Sequence, residues 1–426
     1  MPLLPAGTAP IGPAHNLAQK VQRDLLAAVI TADTPISQTS YSRVTGVSGA
    51  TVQRAAEALV KEKLIEPGED LPIDTRGRPE RALRINPNWV YIGLAIEDRS
   101  PAAGTHVGWQ VSAIGVKLSG EPFHGHASAH REQVEDPCGL EEILAAAQTA
   151  VTHVRQKVEE TDARVYGLGV SVGGHVENGV VRQSPNIPAL DGQPLGRLLE
   201  EATGLPTLVE NDVNALARRH FWQKGGRELN FTVVLVKSDG IGSASVAGGV
   251  YTGSHGMAGE FGHIKMYPAH DLQRMCRCGS DRGCLETLAT PQAVARRLKL
   301  PEVQWKRAVE LVDEGAQEAK EAFLEAGDFL GRGLAQLVTL FDPEVVYLLG
   351  VEELVEPRSH QAAELYLGAA QRTLQEDAFP SARIRFVQEG APAVRIEPQP
   401  LPSAEEQAAA AAAVHIEHLV EKRGSD

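Results

Sequence analysis

From Trp89 to Lys422, apolar runs of strand length alternate with segments of helical period, and this alternation limits the fold more than any other feature of the chain. Residues 90–96 form a continuous apolar run, read as a buried strand. Residues 106–118 and 121–129 follow as strands, and 139–160 as an amphipathic helix. Residues 166–172 form a strand that ends at Gly173-Gly174. A short helix at 195–202 leads to a strand at 207–209, and Asn211 opens another helix. Residues 232–236 and 243–250 read as a hairpin pair. Helices fill much of 290–340, 344–349 is a buried strand, and a last helix covers 404–422. Strands and helices in this order give an α/β architecture. About 340 residues is long for one sheet, so two lobes with a cleft between them are expected. Residues 99–105 read as a soft loop.

The segment ahead of this body has a different character. Leu17, Val21, Leu25 and Val29 recur at helical spacing, and a shorter helix is expected over 37–44. Thr45-Gly46-Val47 makes a turn, and Ser48 is the N-cap of a helix running to about Lys63. Val52, Ala55, Ala56, Leu59 and Val60 form its apolar stripe. Two helices joined by a tight turn read as a helix-turn-helix, whose second helix must carry small and polar residues to reach base edges and phosphates. Ser48, Thr51, Gln53 and Arg54 are the candidate contacts. Residues 64–66 and 82–85 read as strands of a hairpin wing, with Thr75-Arg76-Gly77-Arg78-Pro79 at its tip. Arg76 and Arg78 suit a narrow minor groove. The alternative is three helices packing on the body, followed by a solvated linker. Asn86-Pro87-Asn88 reads as the boundary.

Charge follows the same division. The whole chain carries a formal −14, but residues 1–87 account for +1 and the remainder for −15. That excludes a protein that coats nucleic acid and fits a small reader on an acidic ligand domain. No apolar run is long enough to span a membrane, and residues 1–13 lack the pattern of a signal peptide. Four cysteines, three of them within nine positions, are too few and too clustered for a disulfide scaffold, which points to the cytoplasm.

Those three cysteines are the sharpest local signal. Cys276-Arg-Cys278-Gly279-Ser-Asp-Arg-Gly283-Cys284 sets three thiols on a glycine-containing loop, and His263 lies thirteen residues upstream of Cys276. Three thiolates and one imidazole supply the tetrahedral set that Zn²⁺ prefers, and four protein ligands leave no open position for water, so the metal is expected to be structural. Cys138 reads as an ordinary buried thiol.

The loop resembles the C-x-C-G-x-x-G-C-x-E motif of the ROK family, which groups bacterial repressors and sugar kinases, with one residue inserted between its glycines. Four further stretches fall in the family's order: Ser184-Pro185-Asn186-Ile187-Pro188, Glu210-Asn211-Asp212-Val213-Asn214-Ala215, Gly259-Glu260-Phe261-Gly262-His263, and Glu286 after the last cysteine. The resemblance covers nearly the whole chain. It implies a winged helix-turn-helix over 1–87 and an actin-like (ribonuclease H-like) two-lobed sugar-kinase-type domain. The first lobe would be 88–205 with helix 404–422, and the second 206–403 with the zinc loop. It implies a sugar site at Gly174, Asn186, Asn211, Asp212, Glu260, His263 and Glu286, with Asp212 as the general base in the kinases. For Asn211 and Asp212 taken alone, a helix N-cap is the simpler account.

Family kinases also carry glycine-rich loops for the nucleotide. In their places stand Gly93-Leu94-Ala95-Ile96-Glu97-Asp98-Arg99-Ser100, Ser238-Asp239-Gly240 and Leu349-Gly350-Val351-Glu352-Glu353. An aspartate at 239 would repel a triphosphate. A kept sugar site without a phosphate donor implies a non-catalytic regulator, a repressor responsive to a sugar or sugar phosphate. The expectation is a homodimer, or dimer of dimers, on palindromic operator DNA. The rivals are an active sugar kinase with a fused DNA-binding head, a regulator whose effector is a protein, and a vestigial pocket.

Overall fold

The structure, a computed structural model, describes residues 17–32, 34–71, 80–98, 108–135, 139–223, 230–266, 276, 278–280, 283–379 and 394–422. Arg76, Arg78, Cys138 and the expected loop at 99–105 lie outside them.

The head begins with α1 (Leu17–Thr31), a two-residue strand β1 (Ile36–Ser37), α2 (Gln38–Thr45) and α3 (Gly49–Lys61). Ser37 starts α2 with a capping box shared with Ser40. Gly46 ends α2, with its N–H on the Ser42 carbonyl. Ser48 caps α3 as expected, accepting the Thr51 N–H at 3.3 Å. Val52, Ala55, Ala56 and Leu59 are buried beneath it. Strands β2 (Ile65–Leu71) and β3 (Glu80–Ile85) pair antiparallel, and β1 joins on the far side of β3. The first of these strands runs beyond the expected residue 66. Its polar Glu69 and Asp70 sit on an arm paired only with β3, and the register shifts between Pro67 and Asp70.

The body holds two mixed sheets. Its first part runs β4 (Trp89–Asp98), β5 (Trp109–Lys117), β6 (His130–Val134), α4 (Leu140–Glu159), β7 (Arg164–Val172), a small hairpin of β8 (His175–Glu177) and β9 (Val180–Gln183), α5 (Leu195–Thr203), β10 (Thr207–Asn211) and α6 (Asp212–Gln223). The sheet order is β10-β7-β4-β5-β6, antiparallel among β4, β5 and β6 and parallel through β7 and β10. Ile143, Ala147, Ala150, Val151, Val154 and Val158 of α4 cover one face. The second part has β11 (Asn230–Val236), β12 (Ile241–Ala247), α7 (Glu286–Ala289), α8 (Pro291–Arg297), α9 (Trp305–Asp313), α10 (Gln317–Phe341), β13 (Val345–Gly350), α11 (Glu352–Val355), α12 (Gln361–Asp377) and β14 (Arg395–Pro400). Its order, β12-β11-β13-β14, repeats the scheme of an antiparallel pair continued by parallel strands.

Two expectations are corrected here. Residues 121–129 do not form a strand. His124 and Gly125 both adopt positive φ, a short 3₁₀ turn covers Gly125–Ser128, and the edge strand is the more polar His130–Val134. The lobe division expected between 205 and 206 also falls in the wrong place. Thr207–Asn211 pairs in parallel with β7, so this strand belongs to the first sheet. The small hairpin β8–β9, helix α12 and strand β14 are additional to the expected elements.

The C-terminal helix (Ala404–Lys422) lies across the first sheet, and its residues 408–413, all alanine, are buried. They pack on glycines of the two central strands. A Cβ on Gly93 would stand 1.8 Å from the Ala408 carbonyl oxygen, and one on Gly169 2.0 Å from that of Ala411. Small residues on both partners let helix backbone touch sheet backbone. One turn further on, His415 stacks on Tyr91 at 4.9 Å and faces the Leu168 carbonyl at 3.0 Å.

Burial pushes the His415 imidazole down to about pH 4. The unfolded chain then binds the proton first, so this site loses stability as the pH falls from about 6.5 toward 4. We expect a loss on the order of 3 kcal/mol across that window. Urea unfolding at pH 7 and pH 4.5 should show it, and His415→Phe should remove the histidine part of the pH slope. An identical slope in that variant would contradict the assignment.

Candidate functional site

Between the two sheets lies a cavity of about 130 Å³, enough for roughly ten water-sized spheres. Gly174, Asn186, Asn211, Asp212, Glu260, His263 and Glu286 all line it. The seven residues are scattered over more than a hundred positions of sequence, and the fold brings every one of them to the same space.

The first-sheet side is built from strand ends. β7 stops at Gly173-Gly174, where φ of Gly174 is +116° and an added Cβ would meet the Gln183 carbonyl at 2.3 Å. Ser184 fastens the following loop by donating to the Gly173 carbonyl at 2.7 Å, and its N–H reaches Asp191 at 2.6 Å. That loop presents Asn186. At the end of β10, Asn211 donates to the Gly174 carbonyl at 2.9 Å. Its Oδ1 accepts the N–H groups of Val213 and Asn214 at 2.9 and 3.2 Å. The helix-cap account of Asn211 is therefore correct, and the same amide edges the cavity.

Asp212 opens α6 and is buried. Its Oδ1 accepts the Val213 N–H, and its Oδ2 accepts from Lys237 Nζ at 2.7 Å. Its carbonyl accepts from Gln407 of the C-terminal helix, whose amide also donates to Ser171 at 2.7 Å. Lys237 directly follows β11 on the other sheet. Burial works against its charge, but Asp212, Glu97 and Asp239 outweigh that and hold the ammonium well above the usual lysine range. Half-buried Glu97, near the end of β4, is pushed up chiefly by desolvation. Lys237 was missed in the sequence, where it reads as the polar end of a strand. The charge that closes the apolar run 231–236 was the available signal.

The second-sheet side carries Glu260, ahead of a 3₁₀ turn at Phe261–His263, and Glu286, the first residue of α7. Burial raises the Glu260 carboxyl. His263 faces Glu260 through Nε2 and Glu286 through Nδ1, both at 3.6 Å. Behind it the donor atoms of His263, Cys276, Cys278 and Cys284 all lie within 4.8 Å of one another. Cys278 and Cys284 sulfurs are 3.6 Å apart, and Cys276 Sγ is 3.4 Å from His263 Nδ1. A tetrahedral zinc with bonds near 2.3 Å sets ligand atoms about 3.7 Å apart, so the four residues fit such an ion. The inserted residue does not disperse them. Lys265 Nζ reaches Cys284 Sγ at 2.7 Å and sets a positive charge beside the thiols.

Residues 125–371 match the ROK family, more than half of the chain. The chain belongs to the ROK family. Among its ROK relatives is a putative xylose repressor of Caldicellulosiruptor sp. strain Rt8B.4, 27% identical over 386 residues, with 86% of this chain and 90% of that protein covered. The DNA-binding transcriptional repressor Mlc of Escherichia coli is 23% identical over 372 residues, 82% of this chain and 83% of Mlc. A glucokinase of Thermotoga maritima is 31% identical over 230 residues, 50% of this chain and 70% of the kinase. Among solved structures, a ROK family transcriptional regulator described as a homolog of E. coli MLC superposes with a TM-score of 0.71. It is 22% identical and covers 96% of this chain and 97% of that one. The body thus has the actin-like ROK sugar-kinase fold. No helix among the described residues is long and apolar enough to cross a membrane.

The residues expected to meet DNA lie apart from the cavity. Ser48, Gln53 and Arg54 are exposed and Thr51 half-buried on the outward side of α3. Gln53 is bonded to Glu57, and Arg54 to the Ala50 carbonyl.

Proposed function

We propose that this ROK protein is a sugar-responsive, DNA-binding transcriptional repressor. The observation that carries this reading is the joining of a helix-turn-helix-like head to a body whose cavity collects all seven expected sugar residues. The repressor relatives align over head and body together, whereas the glucokinase covers half of the chain. Residues 1–87 would be the winged helix-turn-helix and the two sheets the two lobes, with the division falling after α6. The pocket's carboxylates and amides can accept and donate to the hydroxyls of a sugar ring. His263, Cys276, Cys278 and Cys284 would hold a structural Zn²⁺. When bound, it would fix the His263 ring and the loop ahead of Glu286. A homodimer would set two heads on a palindromic operator, and ligand would act by favouring one lobe arrangement over the other.

The second reading is an active hexose kinase, favoured by the glucokinase relative and by Asp212 in the cavity. Against it stands Lys237. Its ammonium occupies one oxygen of the Asp212 carboxylate at 2.7 Å, where the kinase reading needs that oxygen free for a sugar hydroxyl. The sequence at the nucleotide-loop positions also departs from the kinase pattern. The deciding experiment is a mobility shift on operator DNA selected from a random pool, repeated with a panel of sugars, beside an ATP-consumption assay. Sugar-dependent DNA affinity without phosphorylation supports the sensor. Phosphorylation abolished by Asp212→Asn would replace it with the kinase.

For the head, Arg54→Ala should weaken operator binding roughly tenfold if it reads a base edge, by about 1–3 kcal/mol. Arg76→Ala with Arg78→Ala should flatten the salt dependence of binding by about two units of slope if both neutralise phosphates. Fluorescence anisotropy between low and moderate salt measures both effects. Unchanged slopes would rule the wing out as a DNA contact.

A further inference from the structure

We propose that the cavity is built for an uncharged sugar and excludes sugar phosphates, with Lys237 and Asp239 setting that preference. This rests on the sugar-sensor reading above and narrows its ligand class.

Proteins hold phosphate with an available Arg or Lys, with free N–H groups at a helix N-terminus, or with a cation. Among the described residues lining the cavity, Lys237 is the only lysine or arginine. Its ammonium is already engaged by Asp212 at 2.7 Å, and Asp239 and Glu97 add to the field that fixes it there. The helix end at Asp212 offers little more, because the N–H groups of Val213 and Asn214 are taken by the side chains of Asn211 and Asp212. A zinc ion behind His263 would be shared by three thiolates, which more than cancel its charge.

The cavity is instead rich in carboxylate. Asp212, Asp239, Glu260 and Glu286 all line it. Even with Glu260 left aside, three carboxylates face one committed ammonium. A phosphate dianion entering this space would meet repulsion that a half-enclosed site screens poorly. A neutral ring meets the opposite situation. Its hydroxyls donate to the carboxylates, and the amides of Asn186 and Asn211 suit its oxygens.

Titration calorimetry on the full-length protein tests this, using common aldoses and amino sugars beside their 1- and 6-phosphates. The phosphate ester of any sugar that binds should be at least a hundredfold weaker than its parent. Asp239→Lys should narrow that ratio at least tenfold, and the milder Asp239→Asn should narrow it less. A phosphate ester that binds as tightly as its parent sugar, or a ratio unmoved in Asp239→Lys, overturns the inference and leaves the sensor reading standing. If neither form of any sugar binds, the sensor reading falls and takes this inference with it.

Discussion

Gly93→Ala should cost the protein about 3 kcal/mol or more, and the same holds for Gly169→Ala. Ordinary overpacking is relieved by a side chain that swings aside. Here the new methyl group would meet the backbone of the C-terminal helix, 1.8 Å from the Ala408 oxygen in one case and 2.0 Å from the Ala411 oxygen in the other. The helix can escape only by lifting off the sheet. That would free Gln407 from Ser171 and from the Asp212 carbonyl, and would disturb the cavity as well as the core. Thermal unfolding should show a drop of roughly 5–10 °C or loss of soluble protein. Gly204→Ala is the useful comparison, because nothing lies within 4 Å of an added Cβ there, although its φ of +68° carries a modest strain. A Gly93→Ala protein as stable as the parent would mean that the helix does not lie where we describe it.

The second large effect concerns the thiols. Cys284→Ser should reduce bound zinc from about one equivalent to less than a tenth, read by metal analysis of the purified protein. Structural zinc contributes on the order of 10 kcal/mol to small domains that depend on it. In a body with large cores of its own we expect local loss rather than global unfolding. Cys284 is fully buried, is tied to Lys265, and lies two residues before Glu286. Sugar binding should therefore weaken with the metal, because His263 and Glu286 line the cavity from the same loop system. Removing zinc from the parent with a chelator should give the same loss, reversed on adding it back. Full zinc content in Cys284→Ser would dismiss the site.

Much of this was legible from local chemistry. Ser48 was readable as a cap because its hydroxyl needs only the next turn of backbone. The last helix was readable because its length and period are intact over 404–422. The thiol cluster was readable because a metal's demands are written in residue type and short spacing. Features decided by distant partners were harder to see. Lys237 gains its role from Asp212, twenty-five positions earlier at the start of α6. Strand β10 joins the first sheet only because β7 accepts it as a neighbour. The error over 121–129 has a smaller cause. Gly120 and Gly125, both at positive φ, turn the chain where a strand was expected. In the sequence, the alanines at 408–413 are a run of small apolar residues with no sign of their partner. Its meaning emerged once Gly93 and Gly169 lay beneath it.

The head is not a bead on a string. Leu25, Leu26 and Leu59 belong to one continuous buried cluster with Phe221, Trp222, Ala412 and Ile416 of the body, and α1 packs on both α6 and the C-terminal helix. A calorimeter should therefore record the head and the first sheet melting in a single endotherm, with no early shoulder for the head alone. Since α6 starts at the cavity with Asp212 and runs to Trp222 beneath α1, any tilt imposed at its ligand end is delivered to the head by solid contact, without a slack tether to absorb it.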